Sequence, residues 1–350
     1  MSSPDFISWF ADIGLADRPT VGGKGGSLGE LTRAGIAVPP GFVVRTGAFE
    51  RFVQALEEQA PLRSVVEALD PDDLGAVTAC SVALRARVEG SPLPPDLEAE
   101  ISGALAELCG DQPDSPVAIR SSATTEDAED ASFAGLQDTF LWVMGREETL
   151  RLVRTCWASL YSTESITYRR KQGLPEAGVA MAVVVQRMVD ARTAGVMFTR
   201  SPTTGDRSVI TIEAAWGLGS SVVGGEVTPD RFVIGKVTAQ ISARDISDKH
   251  IQHLPKDGGG VAEVETPEDM RLTPCISDEE LLALKDIGRR VERHYGRPQD
   301  IEWAVDRHSG QILLLQSRPE TVWSIRDAAP VAEVKDNPLE HVMSIFGGKR

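Results

Sequence analysis

Short apolar runs bounded by glycine and proline alternate along this chain with longer stretches of helical periodicity. Phe6, Ile7, Trp9, Phe10, Ile13 and Leu15 form an opening apolar segment that leads into a glycine-rich run from Gly22 to Gly29. The helix after it stops near Gly35. Val38-Pro39-Pro40-Gly41 is a turn before a short buried strand at Phe42-Val43-Val44. Alanine, leucine and glutamate dominate residues 47–110, which read as mainly helical with interruptions at Pro61, Pro71 and Pro92–Pro95. Residues 146–171 read as a helix, because Leu150, Val153, Trp157, Leu160 and Tyr161 recur at helical spacing. That stripe is a core stripe. Strands are expected at Val117–Ile119, Val183–Val189, Gly195–Thr199 and Val209–Ala214, with short strands and turns through 231–275. Ser277 caps a helix that runs to about Tyr295 and stops at Gly296. Residues 300–306 and 312–319 flank the turn Arg307–Gly310 as a β-hairpin.

Composition narrows the class. The 350 residues, 41% hydrophobic, suffice for one large or two medium domains with a real core. A net charge of −16 argues against nucleic acid or an anionic membrane as partner, since both need a basic face. It leaves room for a small basic pocket. Four scattered cysteines, with no Cys-x-x-Cys pair, point to reduced thiols in a cytoplasmic protein rather than to zinc or a disulfide framework. The N-terminus has no signal-peptide pattern, and no apolar run reaches membrane-spanning length. Residues 324–337 are polar, rich in alanine and acidic side chains, and suit a linker. Residues 338–346 suit one or two amphipathic helical turns.

Three stretches carry candidate chemistry. In Gly22-Gly23-Lys24-Gly25-Gly26-Ser27, glycines leave backbone N–H groups uncovered, Lys24 adds a charge and Ser27 is placed to cap the helix. This suits an anion such as phosphate, although it is not the P-loop pattern. An ordinary glycine-rich turn with an exposed lysine reads the same way. Ile119-Arg120-Ser121-Ser122-Ala123 runs a strand end into an arginine whose planar fork fits phosphate oxygens. Its alternative is an ion pair with Glu126 or Asp127. In the hairpin, a turn centred near Ser309 sets Glu302 opposite Gln316, with Arg318 on the same face. A carboxylate, an amide oxygen and a guanidinium suit Mg²⁺ with attached phosphates, whereas the plainer reading is a surface pair between Glu302 and Arg318. Gln186, on the strand at 183–189, is a candidate for an adenine edge or a satisfied buried amide. Within Ser132–Leu141, Gly135 lets backbone approach a ligand and Thr139 offers it a donor, but taken alone the stretch reads as a structural strand–turn–strand.

Taken together, these motifs resemble the nucleotide-binding part of the phosphoenolpyruvate synthase, pyruvate phosphate dikinase and rifampicin phosphotransferase family. The resemblance covers about residues 6–323. It rests on Val21–Gly25, Ile119–Ala123, Ser132–Gly135, Gly195–Thr199, Gly217–Gly219, Asp300–Trp303 and Gln316–Pro319, in order and at compatible spacing. It implies an α/β (α+β) two-lobed ATP-grasp fold, divided as 1–190 with a helical insert, 191–323, and a linker or partner-docking tail at 324–350. It implies ATP and Mg²⁺ as ligands. Lys24, Arg120 and Arg318 would hold phosphates, Gly135 and Thr139 would belong to the loop covering them, Gln186 would lie near adenine, and Glu302 and Gln316 would bind Mg²⁺.

The chain departs from the family pattern at Ser220, where relatives carry Glu, and at Leu136, where Gln or His is frequent. It also lacks the swivelling domain whose histidine, in a Thr-Ser-His context, carries phosphate to an acceptor. None of the five histidines here has that context, and each reads as an ordinary polar residue. The favoured expectation is therefore an ATP-binding subunit that phosphorylates a histidine on a partner domain or chain. ATP would go to AMP and phosphate, for final transfer to pyruvate or a phenol-like compound, as in a phenylphosphate synthase. A truncated synthase or antibiotic phosphotransferase, and a non-catalytic nucleotide sensor, are the alternatives.

Overall fold

The computed structural model describes residues 6–124, 138–321 and 323. The expected tail at 324–350, Leu136 and the stretch that includes Gly135 lie outside the described residues. The first sheet is built from β1 (Ile7–Trp9), β2 (Gly41–Val44), β3 (Val117–Ala123), β4 (Thr139–Val143) and β5 (Met181–Arg187). After β5 the chain continues into β6 (Ala191–Phe198), β7 (Val209–Trp216), β8 (Asp230–Gly235) and β9 (Ile241–Asp245). A separate hairpin follows, β10 (Ile251–Pro255) and β11 (Val261–Glu265), and then β12 (Gln299–Asp306) and β13 (Ile312–Pro319). The orders are β1-β2-β5-β3-β4 and β13-β12-β6-β7-β8-β9, every pair antiparallel.

β2 and β5 run Gly-Phe-Val-Val and Met-Ala-Val-Val-Val-Gln-Arg, and β2 is buried throughout. Such β-branched runs suit central strands covered on both faces. The helices are α1 (Arg18–Arg33), α2 (Thr46–Glu57), α3 (Arg63–Glu67), α4 (Leu74–Gly90), α5 (Pro95–Cys109), α6 (Arg146–Ala158), α7 (Thr163–Lys171), α8 (Ser220–Val223), α9 (Glu268–Arg271) and α10 (Asp278–Tyr295). The first sheet shares a core with α2 and α4–α7, centred on Phe49, Phe52, Leu97, Ile101 and Trp157. Leu281, Leu284 and Val291 of α10 pack against Met197, Ile212, Ile301 and Trp303 of the second sheet. α1 joins both systems, with Val21 and Leu28 against Val43 and Val184, and Leu31 in the second core.

One local expectation is corrected. The helix over 146–171 is broken into α6 and α7 by a 3₁₀ turn at Ser159–Tyr161, after which the Ser162 hydroxyl caps α7 by accepting from Ser165 N–H. The Ser162 cap favours a new helix start over one continuous helix. The helix at 278–295 forms as expected, with a reciprocal capping box between Ser277 and Glu280 and left-handed Gly296 at its end. Among the described residues no helix is long and apolar enough to cross a membrane. The four cysteines are free thiols.

Candidate active site

The glycine run is not a loop. It lies inside α1, which kinks at Gly22, where φ is 72° and ψ 177°. A Cβ at Gly22 would stand 2.1 Å from the Ser122 carbonyl oxygen, so only glycine lets α1 approach β3 this closely. The kink creates a fresh helix start, and Ser122 caps it from across the fold. Its hydroxyl accepts from Gly25 N–H at 3.1 Å and donates to the Val21 carbonyl at 2.9 Å. Ser27, expected as the cap, does something else: its hydroxyl donates to the Ser317 carbonyl at 2.6 Å and pins α1 to β13. Lys24 is held between these two ties, with 6% of its surface exposed.

Arg120 also departs from expectation. β3 does not end there but runs on to Ala123, buried along its whole length. One guanidinium nitrogen donates to the Leu315 carbonyl at 3.2 Å and lies 3.8 Å from a Glu302 carboxylate oxygen. Its Nε is buried with no hydrogen-bond partner among the described residues. Glu126 and Asp127, the alternative ion-pair partners, lie outside the described residues.

In the hairpin Glu302 stands opposite Gln316, as expected, although the pairs nearest the turn, Val305–Ile312 to Trp303–Leu314, sit one residue off a turn centred at Ser309. The Asp306 carboxylate fixes the turn by accepting from the N–H groups of His308 and Ser309. One irregularity was not legible: Glu302 faces Gln316 but Trp303 faces Leu314, so Leu315 is an extra residue in β13. Its carbonyl is the one that Arg120 grips. Arg318 is paired with Asp300 rather than Glu302, Nε to carboxylate at 3.6 Å, and its side chain is 65% exposed. Burial pushes the Asp300 carboxyl up to about 6, against the pull of Arg318.

A cavity of about 380 Å³ opens between the two sheets, and Lys24, Arg120, Thr139, Gln186, Glu302, Gln316 and Arg318 all line it. Seven residues from five separated stretches thus meet; Gly135 lies outside the described residues. Gln186, 1% exposed, already donates its amide to the Pro39 carbonyl at 3.2 Å. Thr139, at the start of β4, is exposed. The apolar wall escaped the sequence reading: Met188 and Val189 from the connection between β5 and β6, with Ala194, Leu218, Ala304 and Leu315. Nothing in their local pattern separates them from ordinary core. Cationic side chains and an apolar wall on one cavity suit a ligand with a polyphosphate and a flat base. Glu302 and Gln316, cross-strand oxygen donors on the same cavity, fit the oxygen-only demand of Mg²⁺, and the orphaned Nε of Arg120 fits a missing acceptor.

A family model described as pyruvate phosphate dikinase, AMP/ATP-binding domain, matches residues 18–338. The "Probable phosphoenolpyruvate synthase" of Methanocaldococcus jannaschii is 41% identical over 348 residues, covering 99% of this chain and 29% of that protein. A rifampicin phosphotransferase of a Streptomyces species is 42% identical over 335 residues, covering 95% of this chain and 37% of that protein. The chain spans less than half the length of these curated relatives. A solved D-alanyl-alanine synthetase A from Vibrio cholerae overlaps 83% of this chain and 52% of its own at 10% identity, with a TM-score of 0.27, too distant a likeness to bear weight.

Proposed function

The chain belongs to the family of the pyruvate phosphate dikinase AMP/ATP-binding domain, and from that premise we propose that it carries out the nucleotide half of a dikinase reaction. Mg-ATP occupies the cleft between the sheets. Lys24, Arg120 and Arg318 hold its phosphates, Thr139 and Gly135 cover them, Glu302 and Gln316 hold Mg²⁺, and Gln186 lies beside the base. Held by Glu302 and Gln316, Mg²⁺ would supply positive charge to offset that of the transferring phosphates. The protein's share is positioning and fixed positive charge.

The acceptor is a histidine on a partner domain or chain. ATP, water and that histidine give AMP, phosphate and a phosphohistidine, which then passes its phosphoryl group to a small acceptor, pyruvate or a phenol-like compound. Phosphoenolpyruvate synthases and a rifampicin phosphotransferase among the relatives support this class of reaction, as does their greater length, which leaves room for the histidine-bearing part. A soluble, reducing compartment suits the free thiols, so we place the protein in the cytoplasm.

The observation that carries this reading is the convergence of Lys24, Arg120, Glu302, Gln316 and Arg318 on one cavity. Incubation with Mg-ATP and the histidine-bearing partner tests it. Expected are AMP and an acid-labile, alkali-stable phosphate on the partner's histidine. ADP as the sole nucleotide product would replace the dikinase with an ordinary kinase, and binding with no turnover would favour a sensor.

A further inference from the structure

Beside the cleft lies a second, wider cavity of about 870 Å³, and at its edge stands a group of side chains that the nucleotide reading does not use. His253 on β10 and Glu263 on β11 are direct cross-strand partners. Glu226 reaches the same point from the segment after α8. One imidazole nitrogen and one oxygen from each carboxylate all lie within 4.8 Å of one another. His253 Nε2 is 2.8 Å from Glu226, and the ring is 12% exposed.

The other ring nitrogen is accounted for. Nδ1 lies 2.7 Å from the Ser220 hydroxyl, at the start of α8. When Nδ1–H donates to Ser220, Nε2 turns a lone pair toward two carboxylates. A proton on Nε2, shared with Glu226 at 2.8 Å, or a metal ion at that point relieves the repulsion between them. An imidazole fixed by a hydrogen bond on its far nitrogen is how proteins orient a metal-binding histidine. The backbone is set as firmly. The His253 carbonyl accepts from Leu218 N–H at 2.9 Å, and at Gly217, φ 74°, a Cβ would lie 2.3 Å from that carbonyl oxygen. The loop that supplies Ser220 is thus locked to the strand that supplies His253.

We propose that Glu226, His253 and Glu263 form a site for a divalent first-row transition ion of the zinc kind, independent of the Glu302–Gln316 face. An imidazole with two carboxylates suits such an ion better than Mg²⁺, which prefers oxygens and retains its waters. Three protein ligands leave a position open, and the adjoining cavity gives it room for water or a further ligand. The ion ties the β10–β11 hairpin to the segment that follows α8, the helix whose Ser220 and Val223 line the nucleotide cleft.

The test uses the full chain, stripped by chelation and dialysed against Zn²⁺ in excess Mg²⁺, with Co²⁺ as an optical probe of the ligand set. Expected is one tightly held equivalent of Zn²⁺ and a visible Co²⁺ band. His253→Ala and Glu263→Gln should each weaken binding by at least about tenfold, and Ser220→Ala by about tenfold, the usual worth of a group that orients a ligand. Glu263 is exposed, so its isosteric amide keeps the decision open should His253→Ala fail to fold. Glu302→Ala should retain the ion. No retained Zn²⁺ in the unaltered chain, undiminished affinity in Glu263→Gln, or loss of the ion in Glu302→Ala would each overturn the proposal.

Discussion

Replacing Arg120 with methionine should separate binding from folding. In the free protein the guanidinium has gains and costs of similar size. Its bond to the Leu315 carbonyl is charge-assisted and worth about 1.5–3 kcal/mol. The buried, unpartnered Nε costs about 1–3 kcal/mol. The contact with the partly exposed Glu302, at 3.8 Å, adds about 0–1 kcal/mol. These nearly cancel, so Arg120→Met should change stability without ligand by no more than about 1 kcal/mol. Bound nucleotide is a different matter. Removing a buried, hydrogen-bonded charge from a ligand contact costs about 2–5 kcal/mol, and 2.7 kcal/mol is about a hundredfold in affinity. At a nucleotide concentration one hundred times the dissociation constant of the unaltered protein, ligand stabilisation is about 2.7 kcal/mol. At the same concentration a variant weakened a hundredfold keeps only about 0.4 kcal/mol. Thermal melts with and without a non-hydrolysable Mg-ATP analogue read both quantities. A variant that melts much lower without ligand, yet binds nucleotide within threefold of the unaltered protein, would make Arg120 a structural residue and refute the reasoning.

Other outcomes follow from the same geometry. Glu302→Ala should abolish the Mg²⁺ dependence of nucleotide binding and turnover while its melting without ligand stays close to normal; unchanged Mg²⁺ dependence would remove Glu302 as a ligand. Ser122→Ala leaves Gly25 N–H and the Val21 carbonyl without their tertiary cap and should cost about 1–3 kcal/mol in urea unfolding. A loss below half a kcal/mol, as an order of magnitude, would mean that the kink holds itself. Asp300 binds its proton more tightly folded than unfolded, with its carboxyl raised from 3.8 to about 6. Stability should therefore fall as pH rises between those values and level off above, by about 3 kcal/mol in all. Asp300→Asn should then be the more stable protein at pH 7.5 without ligand, with the gap closing as pH falls toward 4; a gap that does not close would assign it to something other than the proton.

What the sequence could and could not reveal divides along physical lines. The face shared by Gln316 and Arg318 was legible from period-two alternation, but the count across the turn was not sufficient: the pairs beside the turn sit one residue off it, and the bulge at Leu315 is what sets Glu302 opposite Gln316. The Ser277–Glu280 box was legible because both partners lie within one turn. The cap of α1 was not, since its hydroxyl arrives from 97 residues away and no local pattern marks Ser122 above Ser27. The Leu315 bulge was hidden for a related reason: an extra residue within the apolar run Ile312–Leu315 leaves no mark on its pattern. Met188, Val189 and Leu218 line the cavity but read as core, because an apolar wall for a flat ligand and an apolar wall for a neighbouring strand use the same side chains. His253 read as an ordinary polar residue, and only the pairing of β10 with β11 sets it against Glu263.

The most direct measurement is a crystal structure of this chain with Mg²⁺ and a non-hydrolysable ATP analogue. Expected is a triphosphate within hydrogen-bonding reach of Lys24 and Arg120, its metal ligated by Glu302 and Gln316, and its base against Val189 and Leu218. A nucleotide seated in the wider cavity instead, or a metal that touches neither Glu302 nor Gln316, would contradict it.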